Sequence, residues 1–299
     1  MQVKEVIYTP LGETVLDFGQ NFAGYVTFRN HLPEGTRIVF DHGEILQDGN
    51  FYNENYRSAK SQFVYVSDGR DELVRPSFTY FGFRYVRVTG WPGEAKEEDF
   101  TGKALYSKMD RTGYIETGHQ GVNRLFLNAL WGQKSNFIDF PTDCPQRDER
   151  LGWTGDAQVF SGTASFNMDT TAFYHKFLHD LRNEQVKYDG ILPGVIPVLD
   201  PNGPIFSSVW GDIATILPMV VYEHSGNVET LRENYPMMKD WVDKITKEDK
   251  ARGQKYLYDS ETSLVTGWLL TEEQSRVWKV EQMPTISALT IMQCLYRKL

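Results

Sequence analysis

Hydrophobic residues keep one rhythm over roughly the first hundred positions and another from there on, and few folds accommodate both. Up to residue 106 the apolar residues come in short β-branched and aromatic runs: "GYVTFRN", "TRIVFDHGEIL", Phe63–Val66 and Phe83–Val88. Turn-forming stretches such as "SDGRD" and "TGWPGE" close these runs. Short strands separated by Gly, Pro and Asp predict an antiparallel β-sandwich, jelly-roll-like, over 1–106. Beyond "KALYSKMDRTGYIETG", Val122, Leu125, Phe126, Ala129 and Leu130 fall at i, i+3, i+4, i+7 and i+8, the spacing of an amphipathic helix. Further helices are predicted over Ala157–Phe166, Thr170–Val186, Val209–Tyr222, Glu229–Lys247 and Ile286–Leu299. Residues 107–299 therefore read as an all-α second domain, and the chain as multidomain β plus all-α.

Three connections interrupt the helices: Ile138–Arg150, Asp189–Ser207 and Lys255–Lys279. Each is longer than about 12 residues, and loops of that length in a compact domain usually carry function or disorder. The final helix reaches Leu299 with its apolar pattern unfinished, which reads as a truncation.

Charge and composition remove several classes. A formal net charge of −9 without a Lys/Arg stripe argues against a nucleic-acid partner and suggests no membrane surface. No apolar run approaches about 18 residues, and the N-terminus shows no signal peptide. Cys144 and Cys294 make no disulfide framework, and no His/Cys cluster offers a metal site. No metal and no cofactor is expected, and a reducing cytoplasm fits. Aromatic residues make up 14 % of the chain, more than a core demands, which suits flat apolar ligands such as sugar faces.

The segment "DFPTDCPQRDERLGWTGDAQ", Asp139 to Gln158, concentrates five carboxylates, two guanidiniums and an indole. Its plainest reading is structural. Asp143, Arg147, Asp148 and Arg150 would neutralise one another, and Asp156 would cap the following helix. If the segment winds into a helical turn, however, Glu149, Trp153 and Asp156 share a face. An indole flanked by carboxylates makes a sugar site: the ring stacks on C–H groups and the carboxylates bind hydroxyls. A carboxyl beside an apolar ring is also suited to be a general acid.

Beyond that residue-level reading, "PTDCPQRDERLGWTGDAQ" strongly resembles the signature of bacterial α-L-rhamnosidases of the inverting, (α/α)6-barrel type. "LDFGQNFAGYV" and "PSFTYFGFRYVRVTG" look like that family's preceding β-domain. "DGILPGVIP", "VWGDIATILPMVVYEHSGN" and "LRENYPMMKDWVDKI" look like its early barrel helices. The resemblance implies an antiparallel β-sandwich followed by a truncated (α/α)6 toroid, and removal of terminal α-L-rhamnose from an oligosaccharide or glycoside. It places the general acid at Glu149, hydroxyl-binding carboxylates at Asp143 and Asp156, and aromatic walls at Trp153 and Trp210. Trp268 matches less well, because Gly267 stands where the family usually has an Asp. Arg147 would hold Asp143 or Glu149, and Asp212 would order the loop around Trp210.

The plainer alternatives are packing for Trp210 and Trp268, core positions for Trp131 and Trp241, small buried packing for Cys144, and surface positions for His42 and His119. The general base implied by the family is expected beyond Leu299; Glu261, Glu272 and Glu273 lie in a suitable kind of loop without a motif. With half a barrel missing, the isolated chain is expected to self-associate and to hydrolyse weakly. Competing functions are a non-catalytic rhamnose-binding protein, another exo-glycosidase on the same barrel, and a polysaccharide lyase. The lyase lacks a trusted Tyr/His pair and a basic loop.

Overall fold

Among the described residues, nine strands are built from the alternating runs: β1 (Glu5–Tyr8), β2 (Thr14–Asn30), β3 (Arg37–Gly43), β4 (Ile45–Gln47), β5 (Asn50–Tyr52), β6 (Gln62–Val66), β7 (Glu72–Val74), β8 (Phe81–Thr89) and β9 (Phe100–Ala104). The structure is a computed structural model that describes residues 1–199, 206, 208–251 and 253. It divides into two units. One comprises Met1–Lys108, Ile115–Asp139 and Cys144–Arg150; the other comprises Met109–Tyr114, Phe140–Asp143 and Leu151 onward.

In the β-unit, seven strands form one antiparallel sheet in the order β1-β2-β8-β3-β6, with β7 and β9 also on β2; β4 and β5 form a separate hairpin. The long β2 pairs with four strands because it is interrupted. Its register against β8 runs from Thr14↔Val88 to Asp17↔Tyr85 and resumes at Phe22↔Phe83. Both Phe18 and Phe22 reach the core through this irregularity. The sheet curls around an aromatic interior, so that Phe28 of β2 and Phe100 of β9 meet Phe40 of β3 edge-on at 5.4 and 5.9 Å. This is the interior of the sandwich. Asp17, at the irregularity, is held bidentate by Arg84 at 2.7 Å for both contacts.

Strand β3 lies between β8 and β6 and is buried at every position from Ile38 to Gly43. This corrects the surface position expected for His42. Its ring is fully buried and stacked on Phe81 at 3.9 Å, and Nδ1 lies 3.0 Å from the Ser61 carbonyl. Burial pushes its pKa down to about 4. His119 is exposed, and its imidazole caps α1 (Gln120–Asn136) by accepting a bond from Val122 N at 3.3 Å. Helix α1 packs on β2, where Ser135 Oγ accepts from Ala23 N at 3.2 Å. Its buried face is Phe126, Leu130 and Gln133, with Trp131 half-buried against the aromatic core. Val122 and Leu125 of the predicted stripe are exposed among the described residues.

The helical unit contains α2 (Thr154–Asn167), α3 (Thr171–Lys187), the single turn α4 (Ser208–Gly211), α5 (Ile213–Ser225) and α6 (Val228–Ala251). Helix α5, almost wholly apolar in sequence, packs against α2, α3 and α6. Ile213, Ala214, Leu217 and Val221 are buried along it. It ends at Gly226, which takes the left-handed conformation (φ 70°) and caps Tyr222 O at 2.7 Å. Helices α3 and α6 are tied by Arg182–Asp240 at 2.6 Å and by Gln185 Nε2 donating to Met237 O at 3.0 Å. Trp241 is buried in this unit, as its helical spacing suggests. No helix among the described residues is long and apolar enough to cross a membrane. The helix predicted over Ile286–Leu299, with Cys294, lies outside the described residues.

Candidate active site

The acidic segment belongs to both units in turn. Phe140–Asp143 sits in the helical unit, Cys144–Arg150 in the β-unit, and Leu151 onward in the helical unit again. Each portion is seated by its own set of contacts.

In the β-unit, Gly82 of β8 admits the loop. A Cβ there would stand 2.9 Å from both Gln146 Cβ and the Pro145 carbonyl carbon, so backbone and loop touch directly. Gln146 Nε2 donates to Glu44 Oε2 at 3.0 Å, and Arg150 Nη1 donates to Tyr80 O at 3.1 Å. The Arg150 guanidinium also covers the Tyr80 ring at 5.0 Å. Ser58 donates to the exposed Asp148 carboxylate and holds that carboxyl below its ordinary range. Glu149 lies between two guanidiniums. Its Oε2 accepts from Arg147 Nε at 2.8 Å and from Arg57 Nη1 at 3.0 Å. Its side chain is 19 % exposed. Cys144 is buried and not disulfide-bonded.

A shared helical face for Glu149, Trp153 and Asp156 is not what forms. Arg150 adopts a positive φ of 46°, and Trp153 is extended (φ −66°, ψ 117°) as the residue before α2. The helix starts only at Thr154, so Asp156 alone of the three lies on it. Asp156 does not cap from the position preceding the helix. It is the exposed residue of an otherwise buried first turn, where a carboxylate complements the helix dipole.

In the helical unit, Asp143 and Leu151 close the loop on each other. Asp143 N donates to Leu151 O at 3.1 Å, and Leu151 N donates to Asp143 Oδ1 at 2.9 Å. The "GVIP" stretch lies along the start of α2. Thr154 N donates to Gly194 O, Ile196 N donates to Gly152 O, both at 2.9 Å, and Trp153 bridges Val195. Trp210 lies on Gly155: a Cβ there would meet indole Cε2 at 2.7 Å and Nε1 at 2.8 Å. Gly155 sits between Trp153 and Asp156, so Trp210 is brought to the same helix start. The indole Nε1 atoms of Trp153 and Trp210 are buried and find no hydrogen-bond partner among the described residues. Two half-buried indoles at one helix start leave part of each ring exposed, and a ring face of that kind suits the C–H surface of a sugar.

Asp212 is fully buried, and its Oδ1 accepts from Trp241 Nε1 at 2.9 Å. Burial outweighs that bond and pushes its pKa up to about 7. Trp268 and the loop glutamates Glu261, Glu272 and Glu273 lie outside the described residues. The sequence reading passed over Arg57 and Ser58. They stand in "NENYRSAK" with no motif around them, and only the fold brings them to the acidic loop.

Comparison with known proteins supplies the context. The family model of the bacterial α-L-rhamnosidase 6 hairpin glycosidase domain matches residues 110–296, and that of the bacterial α-L-rhamnosidase concanavalin-like domain matches residues 7–106. An α-L-rhamnosidase of Formosa agariphila is 40 % identical over 247 residues, which is 81 % of this chain and 26 % of that protein. The crystal structure of native α-L-rhamnosidase from Aspergillus terreus superposes with a TM-score of 0.78 at 42 % identity, over 81 % of this chain and 28 % of that one. The Streptomyces avermitilis α-L-rhamnosidase complexed with L-rhamnose gives 0.78 at 38 % identity, over 82 % of this chain and 24 % of that one. The chain thus spans about a quarter of the length of the curated relatives it matches. With an antiparallel β-sandwich leading into helices of a six-hairpin glycosidase domain, the chain belongs to the bacterial α-L-rhamnosidase family.

Proposed function

We propose that this chain serves a glycoside hydrolase that removes terminal α-L-rhamnose with inversion, with Glu149 as the general acid. The reading is supported above all by the setting of Glu149. It is a mostly shielded carboxylate oriented by Arg147, in a segment whose sequence matches the family signature, in a chain that belongs to the family. Glu149 would give its proton to the glycosidic oxygen as the bond from that oxygen to the anomeric carbon breaks. A water would form the new bond from the opposite face and pass its proton to a base. Inverting enzymes keep the two carboxyl groups about 6.5–9.5 Å apart so that this water fits.

Asp143 and Asp156 would hold rhamnose hydroxyls, Trp153, Trp210 and Trp268 would face its apolar surface, and Asp212 would support Trp210. The catalytic domain would begin at residue 107, after a β-domain over 1–106; the two family models divide between residues 106 and 110, which supports this. A cytoplasmic location belongs to the same proposal and rests on cysteine usage.

The test is Glu149→Gln in the full-length protein, assayed on two rhamnosides. General acid catalysis contributes about 10²–10⁴-fold. A loss of that size is expected where the leaving group is a poor one such as a sugar alcohol, and a much smaller loss with an activated nitrophenyl group. Proton NMR of the first-formed sugar should show β-L-rhamnose. Equal losses on both substrates would remove Glu149 from the acid role, and α-rhamnose as first product would remove inversion. Rhamnose binding without turnover in either protein would favour a binding function.

A further inference from the structure

We propose that Arg57, from the turn between β5 and β6, is a positioning residue for the acid Glu149, so that the β-domain takes part in the reaction. The inference rests on the reading of Glu149 as the acid.

Taken alone, an ion pair with a 45 % exposed arginine would mean little. Three further features of the turn distinguish it. First, it is fixed from below. Tyr56 is buried, and its hydroxyl donates to the Gly82 carbonyl at 2.6 Å, on the strand residue that receives Pro145 and Gln146. Secondly, Arg57 sits at φ 59°, ψ −121°, a positive-φ conformation that glycine adopts freely and arginine does not. A side chain kept where the backbone favours its removal points to a use for that side chain. Thirdly, the grip is double: Arg57 holds Glu149 and the adjacent Ser58 holds Asp148, so two consecutive turn residues address two consecutive loop carboxylates.

The geometry at the carboxyl is specific. Arg57 and Arg147 both donate to Oε2. Oε1 is then the oxygen through which a proton would be delivered. Arg147 lies on the same loop as Glu149, two residues before it. Arg57 comes from a different element and can fix the carboxyl relative to the sheet. Loss of Arg57 would leave Glu149 held by Arg147 alone and free to turn.

The experiment uses the full-length protein and four variants: Arg57→Gly, Arg57→Lys, Glu149→Gln, and Arg57→Gly combined with Glu149→Gln. Arg57→Gly suits the backbone conformation, so its melting temperature should equal or exceed that of the parent. Its kcat on a poor-leaving-group rhamnoside should fall about 10- to 100-fold, the range that misplacement of a catalytic group brings. Its KM should stay unchanged, and its kcat on an activated nitrophenyl rhamnoside should barely move. Arg57→Lys should recover part of the loss, since a point charge replaces a planar fork. In the Glu149→Gln background, Arg57→Gly should bring no further loss.

Equal losses on both substrates, or the same fold-loss in both backgrounds, would overturn the assignment. A lowered melting temperature that accounts for the lost activity would do so as well. If Glu149→Gln shows no dependence on leaving group, the acid reading itself fails and takes the Arg57 assignment with it. If Glu149→Gln behaves as an acid variant and Arg57→Gly is additive to it, only the Arg57 assignment fails.

Discussion

Replacement of Asp212 by Asn should raise the stability of the folded protein at pH 8 relative to its effect at pH 4. Asp212 has no accessible surface, and burial lifts its pKa from 3.8 to about 7 although Trp241 Nε1 donates to Oδ1. Below pH 3.8 the carboxyl is neutral in both folded and unfolded chains. Between that value and about 7 the unfolded chain releases the proton while the folded chain keeps it, so stability falls as pH rises. Above the folded pKa both states are ionised and the loss is complete. About three pKa units at about 1.4 kcal/mol each give a total near 4 kcal/mol. Asparagine keeps an oxygen for the Trp241 N–H and has no titration. In return its amide N–H pair must occupy the position of Oδ2, which has no partner among the described residues. An unsatisfied buried donor costs about 1–3 kcal/mol, the same at every pH. The difference between variant and parent should therefore swing by about 4 kcal/mol between pH 4 and pH 8. Urea unfolding followed by tryptophan fluorescence at several pH values measures it, and other titrating groups cancel because both proteins carry them. A difference that stays constant across that range would refute the claim that burial governs this carboxyl.

Two further perturbations test the packing. His42 is lowered to about pKa 4, so on acidification the unfolded chain takes up its proton near 6.5 before the folded chain can, and stability is lost as pH falls through that window. The loss amounts to about 3 kcal/mol. His42→Phe, which keeps a ring against Phe81, should abolish it, as urea midpoints at pH 7 and 4.5 would show. Gly155→Ala places a Cβ 2.7 Å from the Trp210 indole and should destabilise by about 1–3 kcal/mol. In a Trp210→Ala background the same change should be nearly neutral, so a thermal double-mutant cycle isolates the contact.

The elements that sequence predicts well are those whose apolar pattern serves one partner surface. Helix α3 falls within a residue of its predicted span because it buries a single regular face. Strand β2 was visible only from Gly24 onward. Between Asp17 and Phe22 its register shifts, and just before that shift Val15, Leu16, Asp17 and Phe18 are buried at every position, so no period of two marks the first half of the strand. His42 escaped for a related reason. A strand flanked by β8 and β6 and covered on both faces has no solvent side, so a polar residue in it carries no exposure signal. Helix α1 showed its amphipathicity but not which residues its partner would cover. Phe126 and Leu130 belong to the predicted stripe; Gln133 continues their row but is polar, and Ser135 is buried by its contact with Ala23, which no periodicity announces.

The density of the Asp139–Gln158 segment follows from having two seats to satisfy. From Cys144 to Arg150 the chain lies on the β-unit, and its polar groups are matched one by one: Gln146 to Glu44, Asp148 to Ser58, Glu149 to Arg57, Arg150 to Tyr80. From Leu151 to Gln158 it starts a helix in the other unit, and there the demands are for an extended Trp153, a Thr154 bonded to Gly194 and a Gly155 thin enough for an indole. A loop serving only one of these seats would need either the charges or the aromatic and glycine pair. Sequence reading could see that the mixture was unusual and could match it to a family signature. It could not see Arg57, because an arginine in an irregular turn nearly a hundred residues upstream has no local spacing to mark it. A rigid helical turn would have placed Glu149 on the helix beside Asp156. The positive φ at Arg150 and the extended Trp153 instead detach Glu149 from α2 and leave it to be held by the β-unit, which makes the turn at Arg57 the place where control of its orientation can be exerted.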